Sequence, residues 1–167
     1  MSLFPADIEI LAQTVVKDFS ARGQMLSTAE SCTGGLIAGA LTDVPGSSAV
    51  VDRGFVTYTN EAKMQMLGVD AVTLDTFGAV SRETALQMAH GALFRSRSEF
   101  SIAVTGIAGP GGGSDAKPVG LVHLVAKRRD GQFIHRDMRY GDIGRADVRL
   151  ATVRTALEML LALAQST

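Results

Sequence analysis

Three stretches of the sequence concentrate residue types that can do covalent chemistry. The first is Thr28-Ala29-Glu30-Ser31-Cys32-Thr33-Gly34-Gly35, where a short strand pattern runs into a helix of small residues. A helix N-terminus offers unpaired N–H groups and the positive end of a dipole. Gly34 and Gly35 carry no side chain to block a ligand's approach to that backbone. Ser31 is thus a candidate nucleophile with oxyanion donors beside it. Cys32 is a second candidate, whose thiol pKa would fall at such a terminus. The plainer reading makes Ser31, Cys32 or Thr33 a helix cap and the glycines packing residues. Taken alone, the segment leans to the cap, because Ser and Thr caps are so common.

The second stretch, Tyr58-Thr59-Asn60-Glu61-Ala62-Lys63, follows a strand pattern. A lysine becomes a general base when burial lowers its pKa, and a tyrosine hydroxyl can orient or relay. On spacing alone, a solvated lysine on a short helix is the commoner case. The third stretch is Gly106-Ile107-Ala108-Gly109-Pro110-Gly111-Gly112-Gly113-Ser114, a loop suited to anions. It is not a P-loop, because Gly112 stands where the lysine belongs. Gly111-x-Gly113-x-x-Ala116 matches the dinucleotide spacing, but Pro118 breaks the helix that would receive a pyrophosphate. Ligand contact and a plain surface loop carry equal weight for this stretch.

Other chemistries lack support. His90, His123 and His135 show no ligand-pair spacing, and the single cysteine excludes a cysteine-rich zinc site, so no metal and no cofactor are expected. His123 lies in an apolar run and reads as a hydrogen-bonded core residue; buried, inert cysteine is the commoner state for Cys32. Lys+Arg 16 against Asp+Glu 17 leaves a net charge of −1, with no basic excess for nucleic acid. No run reaches the ~18 apolar residues of a membrane span, and the first residues lack a signal-peptide pattern. The expectation is a cytoplasmic protein with neither a nucleic-acid nor a membrane partner.

The elements that must position these residues follow from periodicity. The spacing of Ile8, Leu11, Val15 and Phe19 predicts a helix over residues 6–21, closed by Gly23. Strands are predicted at 25–29, 50–58, 100–105, 119–126 and 132–140, the last two joined by an Asp130-Gly131 turn. Further helices are predicted at 36–41, at 61–67 with Asn60 as cap, from Ser81 to about Phe94, and from about Arg145 to Leu163. At 167 residues and 46% apolar composition, without repeats or linkers, the chain reads as one α/β domain over 1–167 with a mixed sheet.

Taken together, these motifs resemble one family, the CinA C-terminal domain, also known as nicotinamide-nucleotide amidase. The marks are Ala29 to Gly35, Pro45-Gly46-Ser47-Ser48, Tyr58 to Lys63 with Leu67-Gly68-Val69, Thr105 to Gly112, and Lys117-Pro118-Val119-Gly120. They run in order along essentially the whole chain, which looks like the stand-alone form of a domain that follows a larger one in multidomain relatives. The resemblance implies a three-layer α/β/α sandwich with a mixed, mostly parallel sheet, in a homodimer. It implies hydrolysis of nicotinamide mononucleotide to nicotinate mononucleotide and ammonia, with Ser31 as nucleophile, Lys63 as base and Tyr58 beside them. The substrate site it implies draws on Thr33, Gly34, Gly35, Ser48, Thr105, Gly106, Gly109, Gly111 and Arg145. One departure stands out: Gly141-Asp142-Ile143-Gly144-Arg145 replaces the family's compact Gly-Asp-Arg, which leaves a phosphate role for Arg145 open. The rival class is a non-catalytic nucleotide-binding or regulatory module.

Overall fold

The computed structural model describes residues 1–166. The chain order is α1 (Ala6–Arg22), β1 (Leu26–Glu30), α2 (Leu36–Thr42), β2 (Val51–Val56), α3 (Asn60–Leu67), α4 (Ala71–Phe77), α5 (Arg82–Phe94), β3 (Phe100–Gly106), β4 (Leu121–Arg128), β5 (Phe133–Arg139) and α6 (Arg145–Gln165). The five strands form one sheet in the order β2-β1-β3-β4-β5. β1 pairs parallel with β2 and β3, whereas β3–β4 and β4–β5 are antiparallel. The sheet is mixed, as expected, with parallel and antiparallel pairings evenly divided.

Helices cover both faces. One core joins α1, α2 and α6 to the sheet through Ile8, Phe19, Ile37, Leu41, Ile102, Leu124, Leu157 and Leu160. The other, smaller, packs α3 and α5 against Ala29, Ala103 and Val125. β1 and β3 are buried along almost their whole length because helices cover both of their faces, and β1 is buried despite carrying Ser27, Thr28 and Glu30.

This topology creates the site. The connection leaving β1 runs through α2 on one face, and the connection leaving β2 runs through α3, α4 and α5 on the other. Open α/β sheets bind ligands where connections diverge in this way, outside the strands' carboxyl ends. The Ser31 stretch follows β1, the Lys63 stretch follows β2, and the glycine-rich loop follows β3, so all three motifs meet at that crevice.

The structure refines several boundaries. α4 adds a helix beyond those the periodicity predicts, its seven residues being too few to show a period. Thr59, not Asn60, caps α3, its hydroxyl accepting from Ala62 N at 3.0 Å. Ser81 caps α5 as expected. Val119 and Gly120 lie outside β4, because Gly120 adopts φ +91° in a turn against Gly141.

α3, which carries Lys63, is set against α5 by a close approach at Gly91. A Cβ there would overlap the Leu67 carbonyl at the end of α3. Gly91→Ala is therefore expected to destabilise the fold by ~2–3 kcal/mol through overpacking. A urea midpoint unchanged from wild type would refute this.

Candidate active site

Lys63 is almost completely buried, at 1% exposure, one turn into α3. Its Nζ lies 2.9 Å from Ser31 Oγ, 2.8 Å from the Thr57 carbonyl and 3.4 Å from the Tyr58 carbonyl. Burial pushes the Lys63 pKa down to about 8, opposed only weakly by the neighbouring Cys32. The hydrogen-bond inventory then defines the proton positions. Both carbonyls can only accept, so they take two Nζ–H groups, and in the neutral amine the remaining lone pair faces Ser31. Ser31 O–H then donates to Lys63; in the ammonium form the third N–H donates to Ser31 Oγ instead.

Ser31 sits at 8% exposure in the turn after β1, anchored by its N–H to Val104 O of β3 at 3.0 Å. Cys32 is adjacent but different in state: burial raises its thiol pKa to about 11. The lowering expected at a helix terminus is outweighed: the Cys32 backbone N–H does pull the thiol pKa down, but burial raises it by more. Glu30, fully buried, accepts from Ile37 N at 2.9 Å, Ala38 N at 3.0 Å and Thr33 Oγ1 at 2.6 Å. Its carboxylate thus neutralises the start of α2, which has no side-chain cap of its own at Gly35. Gly34 N–H is bonded to Ser31 O and Leu36 N–H to Thr33 O. Among the described residues, the N–H groups of Cys32 and Thr33 carry no such bond.

Beside the pair lies a cleft of about 280 Å³. Ser31, Lys63 and Tyr58 form one side, and Thr105 with the backbone from Gly106 to Gly112 forms another. Arg145, at the start of α6, reaches across its mouth, donating to Tyr58 Oη at 2.9 Å and to Gly109 O at 2.8 Å. Its guanidinium makes no ion pair with a carboxylate among the described residues. The cleft thus combines a serine, a lysine poised near neutral pH, a glycine-rich wall and an unpaired cation.

Of the residues singled out from the sequence, the structure brings Ser31, Lys63, Tyr58, Thr105, Gly106, Gly109, Gly111 and Arg145 to this cleft. Thr105 also ties β3 to the segment before α5, donating to Ala79 O at 2.8 Å. Thr33, Gly34, Gly35 and Ser48 do not line the cleft. The Thr33 hydroxyl is spent on Glu30, and Ser48 is exposed in a 3-10 turn before β2. Gly34 and Gly35 serve the turn itself, with φ +59° and +102°, values that side chains rarely tolerate. Sequence reasoning missed Glu30 as the cap of α2. The available signal was an acidic residue at a strand end before a helix without a capping side chain. It also missed the apolar lining from Ala79 and Val80, for which the sequence holds no signal, whereas Ile107 and Ala108 belong to the glycine-rich loop already singled out.

The histidines lie elsewhere. His123 Nδ1 is 2.9 Å from His135 Nε2, the rings stacked between β4 and β5, and burial lowers both pKa values. His90 is exposed on α5. Among the described residues no helix is long and apolar enough to cross a membrane.

Comparison with known proteins agrees with this fold. Residues 8–164 match the family model described as the CinA C-terminal domain. The crystal structure of competence/damage inducible protein CihA from Agrobacterium tumefaciens superposes with a TM-score of 0.98 at 73% identity, covering 99% of this chain and 100% of that one. A CinA superfamily protein from Escherichia coli gives 0.89 at 38% identity, covering 98% and 94%. A CinA-like protein of Parasynechococcus marenigrum is 50% identical over 151 residues, 90% of this chain and 36% of that relative. The chain spans only 30% to 38% of the length of the curated relatives it matches.

Proposed function

Because the chain belongs to the CinA C-terminal domain family, we propose that it hydrolyses the carboxamide of nicotinamide mononucleotide, releasing nicotinate mononucleotide and ammonia. The observation that carries this reading is the buried Lys63 amine held on Ser31 Oγ at 2.9 Å, with a pKa of about 8. Serine alone is a weak nucleophile, and an adjacent base with a pKa near the working pH makes it competent.

The steps follow from the contacts. Neutral Lys63 takes the Ser31 proton as Oγ attacks the carboxamide carbon. The tetrahedral oxyanion draws on N–H donors of the turn after Ser31, where Cys32 lines the cleft and neither its N–H nor that of Thr33 is bonded to another backbone group among the described residues. Lys63, now an ammonium, returns the proton to the departing nitrogen, and the C–N bond breaks to give ammonia and an ester on Ser31. Lys63 then takes a proton from water, the hydroxide adds to the ester, and the C–Oγ bond breaks as Lys63 returns that proton to Ser31, freeing the carboxylic acid, which loses its own proton to solvent as the carboxylate. Arg145 and the Gly106–Gly112 backbone are placed to hold the phosphate, which would replace the contacts of Arg145 to Tyr58 and Gly109.

The direct test is ammonia release from nicotinamide mononucleotide by the purified chain, with nicotinamide riboside as the comparison. The mononucleotide should be preferred by at least ~10-fold in kcat/KM, the worth of a charge-assisted phosphate contact. No ammonia from either compound would overturn the proposal in favour of a nucleotide-binding module. Equal kcat/KM values would remove the phosphate role alone.

The pH profile tests the base. The reactive form is neutral Lys63, so kcat/KM should rise about tenfold per pH unit below about 8 and level off above it. A profile flat from pH 6 to 9 would contradict Lys63 as the base.

A further inference from the structure

We propose that Arg149 is a positioning residue that holds the nucleophile turn in its reactive shape, an inference that rests on the serine–lysine reading above. Arg149 is half-buried, in the second turn of α6. Its Nε donates to Cys32 O and its Nη2 to Thr33 O, both at 3.1 Å. It makes no ion pair among the described residues, so the guanidinium is committed to two neutral carbonyls of one turn.

The consequence follows from peptide geometry. In a trans peptide the C=O and N–H point in opposite directions. Tying Cys32 O toward α6 turns the Thr33 N–H away from α6 and leaves it without a protein acceptor. The next peptide is closed from both ends, with Arg149 on Thr33 O and Gly34 N–H on Ser31 O at 3.0 Å. Ser31 N–H is itself fixed to Val104 O. The turn is therefore clamped at every peptide from Ser31 to Gly34, and the positive charge polarises the amides that must meet a developing oxyanion. Gly34 belongs to the same device: a Cβ there would stand 3.4 Å from Arg149 Nη2, on a backbone with φ +59°. A clamp of this kind acts on the transition state, because the donors it sets are used most strongly when the carbonyl oxygen gains charge.

The test compares Arg149→Ala and Arg149→Lys with wild type, normalised to the folded fraction. Ammonia release by Arg149→Ala should fall ~10²-fold in kcat, the worth of an oxyanion donor, with KM within about threefold and an unmoved pH midpoint. Arg149→Lys reaches one carbonyl and should recover part of the loss. A second readout needs no natural substrate: a fluorophosphonate should phosphonylate Ser31. In that reaction the Oγ–P bond forms, fluoride leaves, the Ser31 proton passes to Lys63, and the phosphoryl oxygen uses the same donors. Labelling should slow by at least ~10-fold in Arg149→Ala. Wild-type rates per folded molecule in both assays, or a loss confined to KM, would overturn the clamp. Slowed labelling in a protein that never releases ammonia would leave the clamp standing and remove the substrate assignment. A wild-type chain that does neither would overturn both.

Discussion

Ser31→Ala and Lys63→Ala should each lose at least ~10³-fold in kcat for ammonia release, and the double variant should be little worse than either, because a nucleophile and its base act as one unit. Cys32→Ala should keep most activity. The two neighbouring side chains differ in state: the Cys32 thiol is pushed up to about 11 by burial, while Ser31 is hydrogen-bonded to the Lys63 amine. Tyr58→Phe should be milder, removing one hydroxyl contact with Arg145 and keeping the ring. Lys63→Met separates chemistry from folding. It keeps the buried stem and removes an amine that has no carboxylate partner among the described residues, so activity should vanish without a matching fall in melting temperature. An active Ser31→Ala beside an inactive Cys32→Ala would reverse the nucleophile assignment.

The largest stability effect should come from Glu30. Glu30→Ala strips the acceptor from the Thr33 hydroxyl and from the Ile37 and Ala38 N–H groups, all at the buried start of α2. Leaving such donors unsatisfied costs ~1–3 kcal/mol for the most exposed to the loss, and more in sum, so a fall of ~3–5 kcal/mol is expected. For a chain of this size that is a drop on the order of 10 °C in melting temperature. Glu30→Gln keeps one acceptor oxygen and should cost less than half as much. A Glu30→Ala protein within about 1 kcal/mol of wild type in urea titration would show that the helix start is satisfied by other means.

Both results bear on how far the sequence could be read. Helices and strands with long apolar repeats, such as α1, α6 and β3, are legible because burial imposes a period that composition cannot hide. α4 is not, being too short to show one. The chemical stretches are legible as segments, since serine, lysine and a glycine-rich loop each suggest a role. Their convergence is not, because it depends on the sheet order β2-β1-β3, which brings three distant strand ends together. The Lys63 environment is equally hidden: its lowered pKa arises from neighbours that bury it, and nothing in Asn-Glu-Ala-Lys reports them. The glycines mislead most. Gly34 and Gly35 read as open backbone for a ligand, yet they allow a turn that Glu30 and Arg149 bind from within the protein.

The central claim is a covalent ester on Ser31, and interception by hydroxylamine tests it most directly. With nicotinamide mononucleotide and increasing hydroxylamine, the amine should attack the ester in place of water. The hydroxamate of nicotinate mononucleotide should then grow at the expense of the carboxylate, while ammonia release continues and Ser31→Ala yields neither product. Carboxylate as the sole product at every hydroxylamine concentration, or hydroxamate formed as fast by Ser31→Ala as by wild type, would contradict the account.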